Sequence, residues 1–204
     1  MKRAIILDLD NTIYPVSSIS ANLFEKVYDL LEEHLPVGDI EAVKEDMGCR
    51  PYHLVADKFN FSDDLKAKGI NILKNITYDL PMQPFDDYHQ VKSTQIKKFL
   101  VTTGFSKLQW SKVKMLGIED DFIEIHIVDP EISNQTKKDV FADILKRHNY
   151  TAADVLVTGD DPESEIKAAT ELGIDTFLFD PWDKHVDAVV TYRAVELRDV
   201  LNYL

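Results

Sequence analysis

Two aspartates one residue apart, Asp8 and Asp10, follow the apolar residues 4–7. A short apolar run bounded by polar residues is typical of a buried parallel strand, and open α/β sheets bind ligands at the carboxyl ends of such strands. Alternation along the strand would turn both carboxylates to one side, where a cation or a shared proton relieves their repulsion. A hard divalent ion such as Mg²⁺ suits such an oxygen-rich site. A capped turn before a helix would use the same residues, so the pair alone leaves both explanations open.

A second candidate site is formed by Thr102, Thr103 and Gly104, which follow the apolar residues 99–101. Hydroxyl groups and free backbone N–H groups ahead of a helix are suited to binding a phosphate oxygen. An ordinary Thr-Gly turn would have the same sequence. This segment therefore predicts a phosphate site only in combination with the others.

An acidic segment with Asp160, Asp161 and Glu165 follows the apolar residues 155–157. Acidic residues in the first turn of a helix are ordinary capping. Here the acidic residues also follow the carboxyl end of a predicted strand, as Asp8 and Asp10 do. The repetition predicts two loops that converge on one cation.

A lysine, Lys137 or Lys138, begins the predicted helix before that last strand. Most lysines in such positions are solvated. Beside several carboxylates and a phosphoryl group, however, a cation would offset negative charge and hold the groups together. The chemistry needs one such lysine, and the sequence does not choose between the two.

The elements around these sites alternate between strand and helix, which predicts an α/β fold with a parallel sheet and helices on both faces. Strands are predicted at residues 99–101, 122–128, 155–157, 176–179 and 188–190, and helices at residues 107–115, 138–147 and 163–172. Gly117 and Gly173 follow two of these helices as stop signals.

Residues 20–75 differ, because they contain helix signals and no convincing strand. Helices are predicted at residues 21–35 with Ser20 as N-cap, at 39–47, at 52–59, and at 62–73 with Ser62 as N-cap. This is too much chain for an ordinary crossover between two strands. We therefore predict a core domain of residues 1–14 and 84–204 and an inserted all-helical cap domain of residues 15–83.

The composition limits the classes of function. A chain of 204 residues with 45% hydrophobic residues suits one well-buried core with a modest insertion. A net charge of −13 argues against nucleic-acid polymers and anionic membranes as partners, because both bind clustered positive charge. The single cysteine, Cys49, permits no intrachain disulfide and is expected to be buried. With no signal-peptide pattern and no membrane-spanning apolar run, these features predict a cytoplasmic protein.

In order and spacing, the four motifs resemble the haloacid dehalogenase (HAD) superfamily of phosphohydrolases. The resemblance rests on DLDNTIYP (residues 8–15), TTG (residues 102–104), a lysine, and GDDPESEI (residues 159–166), and it spans nearly the whole chain. The first motif and residues 100–118 resemble members with a helical cap after the first motif, some of which are nucleotidases or other small-metabolite phosphatases. The resemblance implies a Rossmann-like, doubly wound core and a Mg²⁺-dependent phosphatase whose partner is a small phosphorylated metabolite.

The resemblance also implies roles for the first motif. Asp8 would be the nucleophile that forms an aspartyl-phosphate, which divides one difficult displacement into two easier ones. Asp10 would be the general acid for the leaving alcohol and then the base that activates water. Displacement of halide needs no such acid, and true dehalogenases lack the second aspartate, so Asp10 favours phosphate esters over haloacids.

The remaining roles follow from the same resemblance. Thr102, with the backbone around Thr103 and Gly104, would hold the phosphoryl oxygens. Lys137 would pair with the nucleophile and the phosphate, although the family's usual lysine-proline pattern is missing and Lys138 stays an alternative.

The resemblance places the metal on the acidic motifs. Mg²⁺ would bind the Asp8 carboxylate, the Asp10 carbonyl oxygen and Asp160. Glu165 would act through water or from behind these ligands. Asp161 would also lie behind them, as an additional carboxylate whose role the resemblance does not fix.

Other functions use the same residues. A phosphomutase would return the phosphoryl group to its intermediate, a phospho-accepting signalling module would keep it, and a silent binding protein would not react. In the cap, Arg50 could meet a second anionic group or form a surface ion pair. Tyr14, Tyr52 and His53 could contact a base or sugar, or pack. The sequence predicts neither the substrate nor the oligomeric state.

Overall fold

A computed structural model describes residues 1–204, with the side chain of Val37 left outside the description. Its centre is a six-stranded sheet in the order β3-β2-β1-β4-β5-β6. The strands are β1 (Ala4–Leu7), β2 (Lys97–Thr103), β3 (Glu124–Val128), β4 (Val155–Gly159), β5 (Asp175–Phe179) and β6 (Tyr192–Ala194). All five strand pairs are parallel, which confirms the predicted Rossmann-like α/β fold.

Strand β1 lies in the middle of the sheet, and all four of its residues are buried. Ala4 pairs with Lys97 of β2 on one side and with Val155 of β4 on the other. The chain order of the strands reverses at β1, and such a switch point opens a crevice at the carboxyl ends. The polar segments that follow β1, β2 and β4 are therefore neighbours.

The helices are α1 (Ser20–Leu23), α2 (Glu25–Glu32), α3 (Val37–Met47), α4 (Tyr52–Lys58), α5 (Asp63–Asn75), α6 (Tyr88–Lys92), α7 (Ser106–Leu116), α8 (Lys137–Arg147) and α9 (Lys167–Thr170). Helices α1 to α5 lie between β1 and β2, in the segment predicted to be helical. Ser62 caps α5 as predicted, because its hydroxyl oxygen accepts the Leu65 N–H at 3.2 Å. Gly117 ends α7 in the left-handed conformation that glycine adopts without strain.

The single helix predicted at residues 21–35 is wrong, because the chain breaks at Phe24 into α1 and α2. Phe24 has φ −100° and ψ 5°, outside the helical range, and its buried ring packs beside Tyr28. Ser20 is the first residue of α1 rather than its N-cap, and its side chain caps no backbone N–H group. Burial of Phe24 thus outweighs the continuous helical pattern.

The helix predicted at residues 163–172 begins instead as a π-helix, Pro162–Ile166, which continues into α9. Asp161 caps the π-helix, because its carboxylate accepts the Glu163 N–H at 2.8 Å. A π-turn widens the helix and is common at functional sites. Here it carries Glu165, one of the predicted site residues.

The strand predicted at residues 188–190 is also wrong, since the last strand is β6. Val189 is 94% exposed. The Thr191 hydroxyl accepts the N–H of Thr176 at the start of β5, and the Thr176 hydroxyl accepts the N–H of Thr191 in return. This exchange takes up the Thr176 N–H, and the pairing of β5 with β6 begins at Phe177 and Tyr192.

Among the described residues, no helix combines the length and apolarity needed to cross a bilayer.

The carboxylate of Glu124, at the start of β3, accepts hydrogen bonds from four nitrogen atoms. Arg147 donates to both oxygens at 2.8 and 2.6 Å, and the rings of His126 and His148 lie 2.8 and 2.6 Å away. The pKa of Glu124 falls to about 2, chiefly because of the hydrogen bonds from Arg147, although burial opposes the shift. The ionised carboxylate therefore stabilises the folded state.

We expect Glu124→Gln to lower the free energy of unfolding at pH 7 by about 1–2 kcal/mol, after allowance for solvent screening. The stabilisation is complete above the pKa of an unfolded glutamate, about 4.3, and is lost as the pH falls towards 2. The difference between wild type and variant should roughly halve at pH 3 in urea unfolding. Glu41→Gln, at an exposed position on α3, is the control and should change little. An equal loss at both pH values would show that the charge is not the cause.

Candidate active site

Asp8, directly after β1, forms a buried ion pair with Lys137. The Lys137 ammonium donates to Asp8 Oδ1 at 2.7 Å and to Glu165 Oε2 at 2.7 Å. Lys138 points away and pairs with Glu171 at the surface, at 2.8 Å. Of the two candidate lysines, Lys137 therefore reaches the site.

The orientation of Lys137 follows from how α8 begins. The Thr136 hydroxyl accepts the Asp139 N–H at 3.3 Å, and the Asp139 carboxylate accepts the Thr136 N–H at 2.8 Å. This reciprocal capping fixes the first turn and so the direction of its first residue. Burial lowers the pKa of Lys137, but attraction to Asp8 and Glu165 outweighs it, and the pKa ends above its ordinary value.

Three carboxylates meet at the edge of the sheet. Asp8, Asp160 and Glu165 each offer an oxygen within 4.8 Å of the other two. Burial raises the pKa of Asp8 to about 7, with Lys137 opposing and Glu165 adding to the rise. Burial also raises the pKa of Asp160 well above its ordinary value, and repulsion from Glu165 and Asp8 adds to it. Crowded, buried oxygens of this kind fit a divalent cation, which would remove the repulsion.

Glu165 is held from two sides, because its Oε1 accepts the Asp161 N–H at 2.8 Å while its Oε2 accepts from Lys137. A Cβ at Gly159 would overlap the Glu165 side chain, so glycine at the end of β4 leaves the space that Glu165 occupies. The Asp161 carboxylate serves the π-helix as its cap. Thr12 links the first motif to this group with a hydroxyl that donates to Asp160 Oδ1 at 3.4 Å.

The TTG segment ends β2 beside Asp8. Thr102 is buried, and its hydroxyl accepts from the Gln109 amide at 2.8 Å. The prediction of free backbone N–H groups here is wrong for Gly104, because its N–H donates to Val128 of β3 at 3.0 Å. The sheet continues further than the Thr-Gly pattern indicates, and only the remaining groups of this segment are available to a phosphate oxygen.

Asp10 lies outside the group of three carboxylates. The chain has left the strand there, since Asn11 adopts φ +56°, so strand alternation no longer sets the direction of Asp10. Its carboxylate accepts from Lys112 at 2.8 and 3.1 Å, from Gln109 at 3.0 Å, and from the Tyr14 hydroxyl. The expectation that both aspartates face one cation is therefore wrong for the Asp10 carboxylate.

These contacts control the charge of Asp10. Burial raises its pKa, but attraction to Lys112 and hydrogen bonds from Lys112, Tyr14 and Gln109 outweigh burial, so the pKa lies below its ordinary value. The sequence pattern predicts no role at Asp10 for these three residues. Gln109 and Lys112 are both buried and lie three residues apart on α7, and that polar pair on the inner face of a helix was the available signal.

The inserted helices reach the site through the loop between α3 and α4. The Asn11 side chain donates to the Gly48 carbonyl at 3.0 Å and accepts the Val16 N–H at 3.0 Å. Arg50 and His53 line a cavity of about 140 Å³ together with the site residues. Arg50 lies 3.9 Å from its nearest carboxylate oxygen, on Asp46.

Two other side chains from this segment, Tyr52 and Cys49, also line the cavity. Tyr52 packs, because its buried hydroxyl donates to the Leu65 carbonyl at 3.1 Å. Cys49, predicted to be buried, is exposed because it lies in the loop after α3.

A sequence model of the haloacid dehalogenase-like hydrolase family matches residues 2–173. The chain belongs to this family. The match includes β1, β2 and β4 and the three polar segments that follow them.

Two relatives of this HAD-like hydrolase carry phosphatase names. The glyceraldehyde 3-phosphate phosphatase of Methanopyrus kandleri is 24% identical over 193 residues, which cover 86% of this chain and 83% of that protein. The ribulose-1,5-bisphosphate 5-phosphatase of Halopiger xanaduensis is 22% identical over 206 residues, which cover 89% and 86%.

Solved structures share the fold of this HAD-like hydrolase. The HAD-hydrolase YfnB from Bacillus subtilis, solved bound to magnesium, superimposes with a TM-score of 0.71 at 19% identity, over 100% of this chain and 98% of that one. The HAD-like family protein SP0104 from Streptococcus pneumoniae has a TM-score of 0.71 at 22% identity, with coverage of 99% and 98%.

The site of this HAD-like hydrolase thus has two parts. One contains Asp8, Lys137 and the acidic segment after β4, joined by direct contacts. The other contains Asp10 and Thr102, joined through a shared amide. Both parts line the same cavity.

Proposed function

We propose that the protein is a Mg²⁺-dependent phosphatase that hydrolyses a small phosphomonoester through an aspartyl-phosphate on Asp8. The observation that carries the proposal is the buried Asp8–Lys137 pair beside Asp160, with Asp10 held separately two residues away. The two relatives named as sugar-phosphate phosphatases support a small phosphorylated metabolite as the substrate.

The residues that would hold Mg²⁺ are Asp8 and Asp160, with the Asp10 carbonyl oxygen as a third donor. Glu165 would support them from behind, because both its oxygens already accept hydrogen bonds from Asp161 and Lys137. A bound divalent cation supplies charge that stabilises the transferring phosphoryl oxygens and offsets the carboxylates.

In the first step, an Asp8 oxygen attacks phosphorus while the bond from phosphorus to the leaving oxygen breaks. Lys137 holds the attacking carboxylate in place and would also attract a phosphoryl oxygen. The Thr102 hydroxyl would hold another phosphoryl oxygen. The negative charge of a bound phosphoryl group would raise the pKa of Asp10, which lies below its ordinary value in the free protein, and so favour the protonated carboxyl. That carboxyl gives its proton to the leaving oxygen, so that an alcohol departs and an aspartyl-phosphate remains.

In the second step, the Asp10 carboxylate takes a proton from water, and the resulting hydroxide oxygen attacks phosphorus. The bond between Asp8 and phosphorus breaks, inorganic phosphate leaves, and Asp8 regains its carboxylate. Asp10 is then protonated again and ready for the next turnover.

We assign residues 15–83 to a cap over a core of residues 1–14 and 84–204. Helices α1 to α5 support this division, because all of them lie between β1 and β2. The hydrogen bond from Asn11 to Gly48 and the position of Arg50 at the cavity support a cap that contacts the substrate. A cavity of about 140 Å³ suits a small metabolite.

A panel of phosphorylated metabolites tests the function. Purified protein is incubated with sugar phosphates, bisphosphates and nucleotides, with Mg²⁺ or with excess EDTA, and inorganic phosphate is measured. We expect steady, Mg²⁺-dependent release from a subset of small sugar phosphates. Transfer of the phosphoryl group within the substrate would show a mutase, and one stable acyl-phosphate per chain would show a signalling module. No release from any compound would overturn the proposal.

A further inference from the structure

We propose that Lys112 is a positioning residue that holds the Asp10 carboxyl at the leaving oxygen, with Gln109 and Tyr14 as its supports. The proposal rests on the proposed phosphatase function. It explains how the two aspartates of the first motif can have different roles.

The contact between Lys112 and Asp10 is close and sheltered. Lys112 is buried on α7, and its ammonium lies 2.8 and 3.1 Å from the two oxygens of Asp10. Within the described part of the chain, Asp10 is its single ion-pair partner. A buried ammonium group is costly unless it is paired, so the pair restrains both side chains.

Each of the two aspartates of the first motif forms an ion pair with a different lysine. Lys137 holds Asp8 in the group that includes Asp160, whereas Lys112 draws Asp10 away from that group. Without Lys112, Tyr14 and Gln109 alone would hold the Asp10 carboxyl, and it could turn towards Lys137. Lys112 therefore keeps the Asp10 carboxyl apart from the group around Asp8.

Gln109 connects Asp10 to the predicted phosphate-binding residue Thr102. Its amide nitrogen lies 3.0 Å from Asp10 Oδ2 and 2.8 Å from the Thr102 hydroxyl oxygen. A Cβ at Gly104 would lie 3.0 Å from the Gln109 side chain, so glycine at that position leaves the room that the amide needs. The distance between the proton-transfer group and the phosphate-binding group is thus fixed by one side chain.

The consequence depends on the leaving group. When Asp8 bonds to phosphorus, the leaving oxygen keeps the electron pair of the broken bond and takes a proton from Asp10. An alkoxide needs that proton, whereas a nitrophenolate leaves readily without it. A misplaced Asp10 should therefore impair alkyl phosphates far more than aryl phosphates.

The experiment compares kcat/KM for glycerol 3-phosphate and p-nitrophenyl phosphate in Mg²⁺, because kcat/KM excludes the later hydrolysis of the aspartyl-phosphate. Lys112→Met should lower the value for the alkyl ester by roughly 100-fold and that for the aryl ester by less than about 10-fold. Lys112→Arg, which keeps the charge, should restore part of the alkyl activity. Lys114→Met, at an exposed position on the same helix, is the control and should change neither value.

A uniform loss on both esters would overturn the proposal, since it would show a structural role, and so would no loss on either. If Lys112→Met does not fold, Tyr14→Phe gives the second test, because the Tyr14 hydroxyl donates to Asp10. The same selective loss is expected, and a uniform loss would again contradict the proposal. Wild-type protein that releases phosphate from no compound of the metabolite panel would instead overturn the phosphatase function itself.

Discussion

Asp8→Asn is expected to lower kcat by roughly 10⁴-fold or more, because an amide cannot form the aspartyl-phosphate. The variant should also fold normally. Asparagine has nearly the same shape, and Lys137 keeps its second partner, Glu165. The measurement is phosphate release under saturating Mg²⁺ with the best substrate of the panel.

The same substitution should leave stability unchanged or increase it. Burial and Glu165 raise the pKa of Asp8 to about 7, so ionising this group near neutral pH opposes folding when no cation is bound. Removing the charge removes that cost, and urea unfolding in EDTA measures the result. Asp161→Asn, which changes a neighbouring carboxylate with a capping contact, is the control and should keep most of its turnover. More than about 1% of wild-type kcat in Asp8→Asn would contradict its role as nucleophile.

Asp160→Asn is expected to weaken Mg²⁺ binding by about 100-fold or more. Even the substitution of a residue behind a metal's ligands typically lowers metal affinity by about 10 to 100-fold. The pKa of Asp160 lies well above its ordinary value because of burial and of repulsion from Glu165 and Asp8. A cation relieves this repulsion, so wild-type protein should gain thermal stability with added Mg²⁺.

Calorimetric titration with Mg²⁺ and the Mg²⁺-dependent shift in Tm measure this effect without any substrate. Both responses should nearly disappear in Asp160→Asn. They should persist in Asp161→Asn, because the Asp161 carboxylate is occupied with the Glu163 N–H. An unchanged Mg²⁺ affinity in Asp160→Asn would remove Asp160 from the metal site.

Residues whose role follows from their position after a strand were predictable. Strand β1 and its neighbours β2 and β4 are buried and nearly continuous in apolar residues, so their carboxyl ends can be located from the sequence. The sequence therefore predicts that Asp8, Thr102 and Asp160 lie at one edge of the sheet.

Residues that act across the fold were not predictable in the same way. Lys112 is 102 residues from Asp10 along the chain, and nothing local to α7 shows which carboxylate it meets. The choice of Lys137 over Lys138 depends on the phase of α8, which the capping contact of Thr136 sets. The break at Phe24 likewise depends on packing that the helical pattern does not encode.

The central position of β1 also affects the order in which the strands of the sheet can pair. Ala4 pairs with Lys97 and Val155, so both neighbours of this strand come from far along the chain. At a synthesis rate of roughly 5–20 residues per second, β1 leaves the ribosome several seconds or more before β4. Pairings between such distant segments form slowly because a long loop must close first. Strand β1 therefore has both of its neighbours only after β4 has been made, so the acidic segment that follows β4 is the last of the polar segments to join Asp8.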